Sequence, residues 1–130
     1  MLRISKLTDY GTMILVHLAV HQGRLNSASD VATGTRLALP TVQKLLKLLA
    51  RSDLVRSVRG AEGGYVLART PATISAADIL DVLEGPLSIT ECSTSESRCE
   101  LEDGCPVGGA WQKINRTIRG ALGEITLAEL

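Results

Sequence analysis

The sequence predicts a mainly α-helical protein with one small β-hairpin and a long C-terminal helix. Several segments carry apolar residues at helical spacing, and two short alternating strands flank a glycine-rich tip. The chain has 130 residues, the length of a single domain. Apolar residues make up 45% and aromatic residues 2% of the chain, with no Phe, so the core must be aliphatic.

An apolar run and a capping pattern predict the first two helices. The first should extend over about residues 8 to 21, and it is apolar nearly all round, which predicts burial on several sides. Ser27 with Asp30 three residues later is typical of a capping box and should start a short second helix. Gly34 should end that helix, because glycine tolerates the left-handed C-terminal conformation.

A third helix should begin at Pro40, because proline needs no backbone partner at the first helical position. One apolar stripe follows at helical spacing: Val42, Leu45, Leu46 and Leu49. The opposite arc is polar: Thr41, Gln43, Lys44, Lys47 and Arg51. Two short helices joined by a tight turn are typical of a helix-turn-helix, whose second helix lies in the DNA major groove.

The predicted hairpin directly follows this helix pair. Its strands are residues 54–58 and 65–67, and Arg59 stands at the start of the glycine-rich tip between them. A hairpin in this position is a wing, so residues 1–86 are predicted to form a winged helix-turn-helix domain. Ser75 with Asp78 should start a further capped helix, which Gly85 and Pro86 close.

A cysteine-bearing loop, residues 87–106, comes next. It holds Cys92, Cys99 and Cys105, an odd number that fits a disulfide framework poorly. Thiolates on a loop suit a soft metal or an iron–sulfur cluster, whereas structural zinc usually has closer pairs. A cluster needs a fourth ligand from elsewhere, and unligated, inert cysteines are the alternative. His17 and His21, one helical turn apart, are a weaker metal candidate, since a hydrogen-bonded core histidine explains His17 as well.

Residues 107–130 should form a helix of about 20 residues, roughly 30 Å long. It carries one apolar stripe: Trp111, Ile114, Ile118, Leu122 and Ile125. So small a domain leaves little for this stripe to pack on. The stripe therefore predicts a dimerisation helix and a two-fold homodimer, with folding back onto its own domain as the alternative.

The zero net charge of the chain conceals a strong segregation of charge. Residues 36–69 hold seven Lys and Arg against two Asp and Glu, whereas residues 70–106 hold one against eight. The basic segment predicts contact with double-stranded DNA, in which cations neutralise phosphates and Gln43 and Thr41 read base edges. Arg59 at the wing tip would enter the minor groove. The expected DNA-contacting residues are Pro40, Thr41, Gln43, Lys44, Lys47, Arg56 and Arg59.

Enzymatic and membrane functions are not expected. The sequence contains no recognisable nucleophile–base arrangement, phosphate-binding loop or paired carboxylate site. The longest apolar run, residues 13–20, is too short to span a bilayer, and no signal-peptide cleavage pattern follows it. A cytoplasmic location is therefore expected.

Four features together resemble the Rrf-two (Rrf2) family of bacterial winged-helix regulators. They are Leu-Arg-Ile-Ser-Lys-Leu-Thr-Asp-Tyr at residues 2–10, Ser-Val-Arg-Gly-Ala-Glu-Gly-Gly-Tyr at 57–65, the turn at 79–85 and the three cysteines. The resemblance covers nearly the whole chain, and the opening is most similar to the branch that regulates the SUF iron–sulfur assembly system. It implies a homodimeric transcription regulator, expected to be a repressor of cluster-assembly genes, whose operator binding is controlled by an iron–sulfur cluster.

The resemblance also assigns residues to roles. Cys92, Cys99 and Cys105 match the family's cluster ligands, and Asp9 matches a ligand that the partner subunit supplies. Gly108 stands where one group of members, the IscR-like proteins, carries a histidine ligand. The first cysteine gap is one residue longer than in the best-known members, so two-iron and four-iron clusters both stay open. The alternatives are a regulator that senses nitric oxide or thiol oxidation, and a zinc-stabilised interaction module.

Overall fold

The computed structural model describes residues 3–88, 93 and 104–130. The helices are α1 (Lys6–Val20), α2 (Ala28–Thr35), α3 (Leu39–Arg51), α4 (Ala76–Leu83) and α5 (Gly108–Glu124), and the strands are β1 (Val55–Val58) and β2 (Gly64–Leu67). Short 3-10 turns occupy Pro71–Thr73 and Leu127–Glu129. The predicted fold class, mainly helical with one small hairpin, is confirmed.

An aliphatic core holds the first four helices and the hairpin together. The stripe predicted on α3 is buried in full, and Ile14, Leu15 and Leu18 of α1 pack against it. Helix α1 contacts α2, α3, α4 and β2, so it is covered on several sides as predicted. It is not covered all round, because Met13 and Val20 remain exposed.

Helix α2 begins as predicted but ends differently. The Ser27 hydroxyl accepts from the Asp30 N–H at 3.0 Å, and the Asp30 carboxylate accepts from the Ser27 N–H at 3.1 Å. The predicted stop at Gly34 is wrong, because the helix continues to Thr35 and the left-handed residue is Arg36, with φ at 62°. Gly34 serves packing instead: a Cβ there would lie 2.2 Å from Cε1 of His17.

Helix α3 starts one residue earlier than predicted. Ala38 is its N-cap and Leu39 its first residue, so Pro40 takes the second position. A missing backbone donor causes no loss there either, because the first turn of a helix has no internal acceptors for its N–H groups.

The two strands form an antiparallel hairpin in which Arg56 pairs with Val66 and Ser57 with Tyr65. A single residue of the α1–α2 turn joins the edge of this hairpin. The Asn26 N–H donates to the Tyr65 carbonyl at 3.0 Å, and the Tyr65 N–H donates to the Asn26 carbonyl at 2.7 Å. Asn26 is 1% exposed, so this pair of bonds satisfies backbone groups that water does not reach.

The segment after the C-terminal helix returns to the core of the winged domain. Helix α5 has 17 residues and packs against α4, which begins with the predicted Ser75–Asp78 capping box. After α5 the Ile125 carbonyl accepts from the Ala76 N–H, and the Leu127 N–H donates to the Ile74 carbonyl, both at 2.8 Å. The Leu127 side chain is buried in the core. None of the helices in the described part of the chain is long and apolar enough to cross a membrane.

Candidate DNA interface and cysteine segment

Helix α3 presents a polar face to solvent. Burial of its apolar stripe turns the opposite side outward, so Pro40, Gln43, Lys44, Lys47 and Arg51 are exposed. These positions are three or four residues apart and therefore share one helix face. Thr41 differs from its predicted companions because it is half-buried. The face has the chemistry that a DNA groove requires, with two lysines and an arginine for phosphates and one amide for a base edge.

The wing tip depends on two glycines that fix its backbone. Gly60 has φ at 120°, which side chains rarely allow, and its carbonyl accepts from the Gly63 N–H at 3.0 Å. A Cβ on Gly63 would lie 2.1 Å from the Val58 carbonyl oxygen, so the tight turn excludes any larger residue. Arg59 at the start of this turn is exposed, as is Arg56 on β1.

The predicted contact cations of this surface form no ion pair with any acidic side chain among residues 3–88 and 104–130. Across the residues that the structure describes, two ion pairs form: Arg69 with Asp78 at 3.1 Å and Arg119 with Asp81 at 2.5 Å. The four predicted contact cations, Lys44, Lys47, Arg56 and Arg59, belong to neither pair. They are therefore free to attract phosphates.

Part of the cysteine segment falls in the described structure. Cys105 is a half-buried free thiol three residues before α5, whereas Cys92 and Cys99 lie outside the described residues. Asp9 is exposed on the first turn of α1. Within residues 3–88 and 104–130, no three His, Cys, Asp or Glu side chains come close enough together to hold a metal ion. The structure therefore assembles no complete ligand set from the described donors of one chain.

Glu84, directly after α4, is not among the site residues predicted from the sequence, yet its hydrogen bonds connect distant parts of the chain. Its Oε1 accepts from the Ser5 N–H at 2.7 Å and from the Thr8 hydroxyl at 2.8 Å. The Ser5 backbone bond, followed by the Thr8 bond, lowers the pKa of Glu84 below its ordinary value. The contact joins the first turn of α1, which carries Asp9, to the end of α4, after which the cysteine segment begins.

The rings of His17 on α1 and of His21, the C-cap residue of that helix, pack against each other. Their ring centroids are 4.2 Å apart, and Nδ1 of His21 donates to the His17 carbonyl at 2.8 Å. Nε2 of His17 is buried with no hydrogen-bond partner among the described atoms, so this nitrogen does not make the hydrogen bond expected of a core histidine. Burial, followed by the charges of His21 and Arg24, lowers the pKa of His17.

Helix α5 turns its polar face inward. Arg119 makes two hydrogen bonds to the Asp81 carboxylate, at 2.7 and 2.5 Å, and Nδ2 of Asn115 donates to the Leu87 carbonyl at 3.1 Å. On the predicted apolar stripe, Trp111, Ile114 and Ile125 are exposed by 41–42%, and Ile118 and Leu122 are half-buried. The helix therefore does fold back on its own domain, but it leaves much of its apolar stripe facing solvent.

A helix-turn-helix whose second helix exposes unpaired cations, followed by a glycine-turned hairpin, defines the class of winged helix-turn-helix DNA-binding proteins. Residues 4–130 match the sequence profile of Rrf2, described as an iron-dependent transcriptional regulator. The chain belongs to the Rrf2 family of transcription regulators and is not an enzyme.

Similar proteins within the family carry different regulator names. The chain is 34% identical to the HTH-type transcriptional regulator CymR of Bacillus subtilis, over 99% of this chain and 89% of that protein. The solved structure of B. subtilis CymR, titled the global cysteine regulator, has a TM-score of 0.76 and covers 99% of this chain and 95% of its own. The structure of T. potens IscR is also 34% identical to this chain and has a TM-score of 0.73, and the match covers 98% of this chain and 85% of that one.

Proposed function

We propose that this chain is a homodimeric repressor whose operator binding is controlled by an iron–sulfur cluster and which governs cluster-assembly genes. The observation that supports DNA binding most directly is the unpaired polar face of α3 beside the wing. The proposal for iron is supported by the iron-dependent description of the family and by the free Cys105 thiol at the head of α5. Thiolates are the ligands that iron–sulfur clusters take.

In the DNA complex α3 would lie in the major groove and the wing tip in the minor groove. Gln43 and Thr41 would face base edges, Pro40, Lys44, Lys47 and Arg56 the backbone, and Arg59 the minor groove. The operator can be selected from a random-sequence duplex library. Arg59→Ala should weaken binding to that operator, whereas Arg116→Ala, which removes an exposed arginine of α5, should not. Equal affinities for the two variants would contradict the wing assignment.

The second subunit would cover the exposed stripe of α5. Ile114 and Ile118 line a shallow groove together with Ala110, Lys113 and Thr117, and the two isoleucines would pack against those of an identical helix. Ile114→Asp should convert the dimer to a monomer in light scattering after size exclusion. Arg116→Asp is the control, because it adds the same carboxylate to α5 outside both the packed face and the apolar stripe. An Ile114→Asp protein that stays dimeric would refute this interface.

The donor side chains of this chain are of the kinds that hold an iron–sulfur cluster. Cys105 is a free thiol and Asp9 an exposed carboxylate, and Cys92 and Cys99 would complete the set. When bound, the cluster would supply a link between the cysteine segment of one subunit and Asp9 of the partner subunit. Within one subunit, the hydrogen bonds of Glu84 hold the start of α1, which carries Asp9, against the end of α4. A cluster bound to Asp9 would therefore be connected to the winged domain through these bonds.

Anaerobic purification tests the cluster directly. The protein should contain iron and sulfide and absorb visible light, and Cys99→Ala should remove all three signals. Asp9→Ala should reduce iron content or alter the spectrum, whereas Glu62→Ala, which removes an exposed carboxylate of the wing tip, should do neither. Retained colour and iron in Cys99→Ala would overturn the ligand assignment. Operator affinity measured with and without the cluster then shows which form binds.

A transcription regulator that senses thiol oxidation through its cysteines is the second candidate. It is favoured by the similarity to CymR, and the chain is also 29% identical to Staphylococcus aureus CymR solved in an oxidised form, with a TM-score of 0.69 over 98% of this chain and 94% of that one. Colourless, iron-free protein whose operator affinity changes with a thiol oxidant would support this candidate. Stoichiometric zinc with no preferred DNA sequence would instead support an interaction module.

A further inference from the structure

Behind the wing lies an open groove lined by arginines from three separate segments. Arg24 comes from the α1–α2 turn, Arg56 from β1, and Arg69 from the segment after β2. The floor between them is apolar and includes Val58 and Val66 of the hairpin. Arg56 and Val58 are two residues apart on one strand and so share the face that borders the groove.

The position of Arg24 in this groove is fixed by the backbone. Its turn is joined to the wing through the reciprocal Asn26–Tyr65 hydrogen bonds, and Nδ2 of Asn26 also donates to the Arg24 carbonyl at 3.2 Å. Gly23 turns the chain just before it, with φ at 89° and open space where a Cβ would stand. The α1–α2 turn is therefore tied directly to the hairpin.

Two of the three guanidinium groups are available to a ligand. Arg69 is held by Asp78 at 3.1 Å, so its charge is compensated. Arg24 and Arg56 are exposed, and within the described part of the chain neither has an acidic side chain within ion-pairing distance. Arg24 feels the charge of Asp30 without forming an ion pair with it. Two guanidinium groups outside any described ion pair, beside one groove, have the planar geometry that suits a phosphate.

We propose that this groove binds a phosphate of the DNA backbone next to the wing, with Arg24 and Arg56 as its ligands. The inference rests on the proposed DNA-binding function and extends the interface to the α1–α2 turn. DNA is favoured over a small phosphorylated ligand because the groove is open along the surface and because Arg56 lies on the strand that leads directly to Arg59 at the tip. A contact of this kind positions the duplex and carries no sequence information.

Salt dependence of binding gives the test. The probes are the operator selected from a random library and a scrambled duplex of the same length. Because the substitution removes one phosphate contact from each subunit of the dimer, Arg24→Gln should lower the slope of log affinity against log salt by about 1.8. It should therefore weaken binding about 60-fold at 0.1 M salt and little at 1 M. Both duplexes should lose affinity by the same factor. Arg56→Gln should behave alike, and Arg116→Gln, with the same charge change on α5, should match the wild type.

The outcomes separate the two proposals. If the wild type selects no operator, the proposed function fails. If the wild type binds an operator but Arg24→Gln keeps the full salt slope, the groove is not a backbone contact. Calorimetry with inorganic phosphate tests whether the groove binds a free anion instead. If Arg24→Gln abolishes phosphate binding but leaves the salt slope for DNA unchanged, the groove is a site for a free anion and the inference is overturned.

Discussion

Substituting Gly64 by Ala should separate the wing from the α1–α2 turn. A Cβ on Gly64 would lie 2.7 Å from the carbonyl oxygen and 2.8 Å from the carbonyl carbon of Asn26. Both are backbone atoms, and the same carbonyl accepts the 2.7 Å bond from Tyr65. The added methyl group must therefore push the two segments apart and break the reciprocal pair of hydrogen bonds.

The cost follows from what those bonds satisfy. Each hydrogen bond contributes about 0.5–1.5 kcal/mol, and a buried backbone group left without a partner costs about 1–3 kcal/mol. Alanine recovers about 0.4–1 kcal/mol by restricting the unfolded chain. The free energy of unfolding should then fall by about 3 kcal/mol. For a chain of this size that corresponds to a midpoint lower by roughly 10 °C.

The control is the same substitution at Gly120. This residue lies within α5 with nothing within 4 Å of its Cβ position, so Gly120→Ala should raise stability by about 0.5–1 kcal/mol. Urea and thermal unfolding are measured at one protein concentration, because stability of a dimer depends on it. A Gly64→Ala protein within about 0.5 kcal/mol of the wild type, which is the scatter of ordinary surface substitutions, would refute the reasoning.

Two further substitutions test the core and the Glu84 contact. Leu46→Ala removes a fully buried side chain and should lower the free energy of unfolding by about 2–5 kcal/mol in urea, whereas Leu48→Ala on the exposed side of α3 should cost about 1 kcal/mol or less. Glu84→Gln should lower the thermal midpoint at pH 7. Because Ser5 and Thr8 lower the pKa of Glu84 in the folded state, its carboxylate stabilises the fold above the ordinary glutamate pKa and loses this effect as the pH falls through the folded value. The difference in thermal midpoint between the wild type and Glu84→Gln should therefore shrink in acid. A difference that is independent of pH would contradict the contact.

Local signals in the sequence predict much of this fold. The spacing of Val42, Leu45 and Leu46 identifies the buried side of α3, and serine followed by aspartate three residues later marks the start of α2 and of α4. These signals work because helix periodicity and capping are set by residues within two turns of each other. The exposed cations of α3 and the wing follow from the same pattern.

Contacts between distant residues could not be predicted in this way. Glu84 and Ser5 are 79 positions apart, and the backbone pairing of Asn26 with Tyr65 involves no characteristic side chain. Arg36 takes the left-handed conformation expected of Gly34 because Gly34 is needed beside His17, a tertiary demand that overrides a local preference. The inward polar face of α5 depends likewise on Asp81 of another helix.

The way the chain closes after α5 determines how that helix can move. Its C-terminal end is anchored by the Ala76 and Leu127 hydrogen bonds and by the Leu127 side chain in the core, while the Cys105 thiol sits at the other end. A 17-residue helix is about 25 Å long, so the cysteine end lies about that far from the anchor. A tilt of about 5° about the anchor would carry the cysteine end through about 2 Å, and it would have to strain the Asn115 and Arg119 contacts in the middle of the helix. Sliding the helix along its axis would instead require the anchor to break.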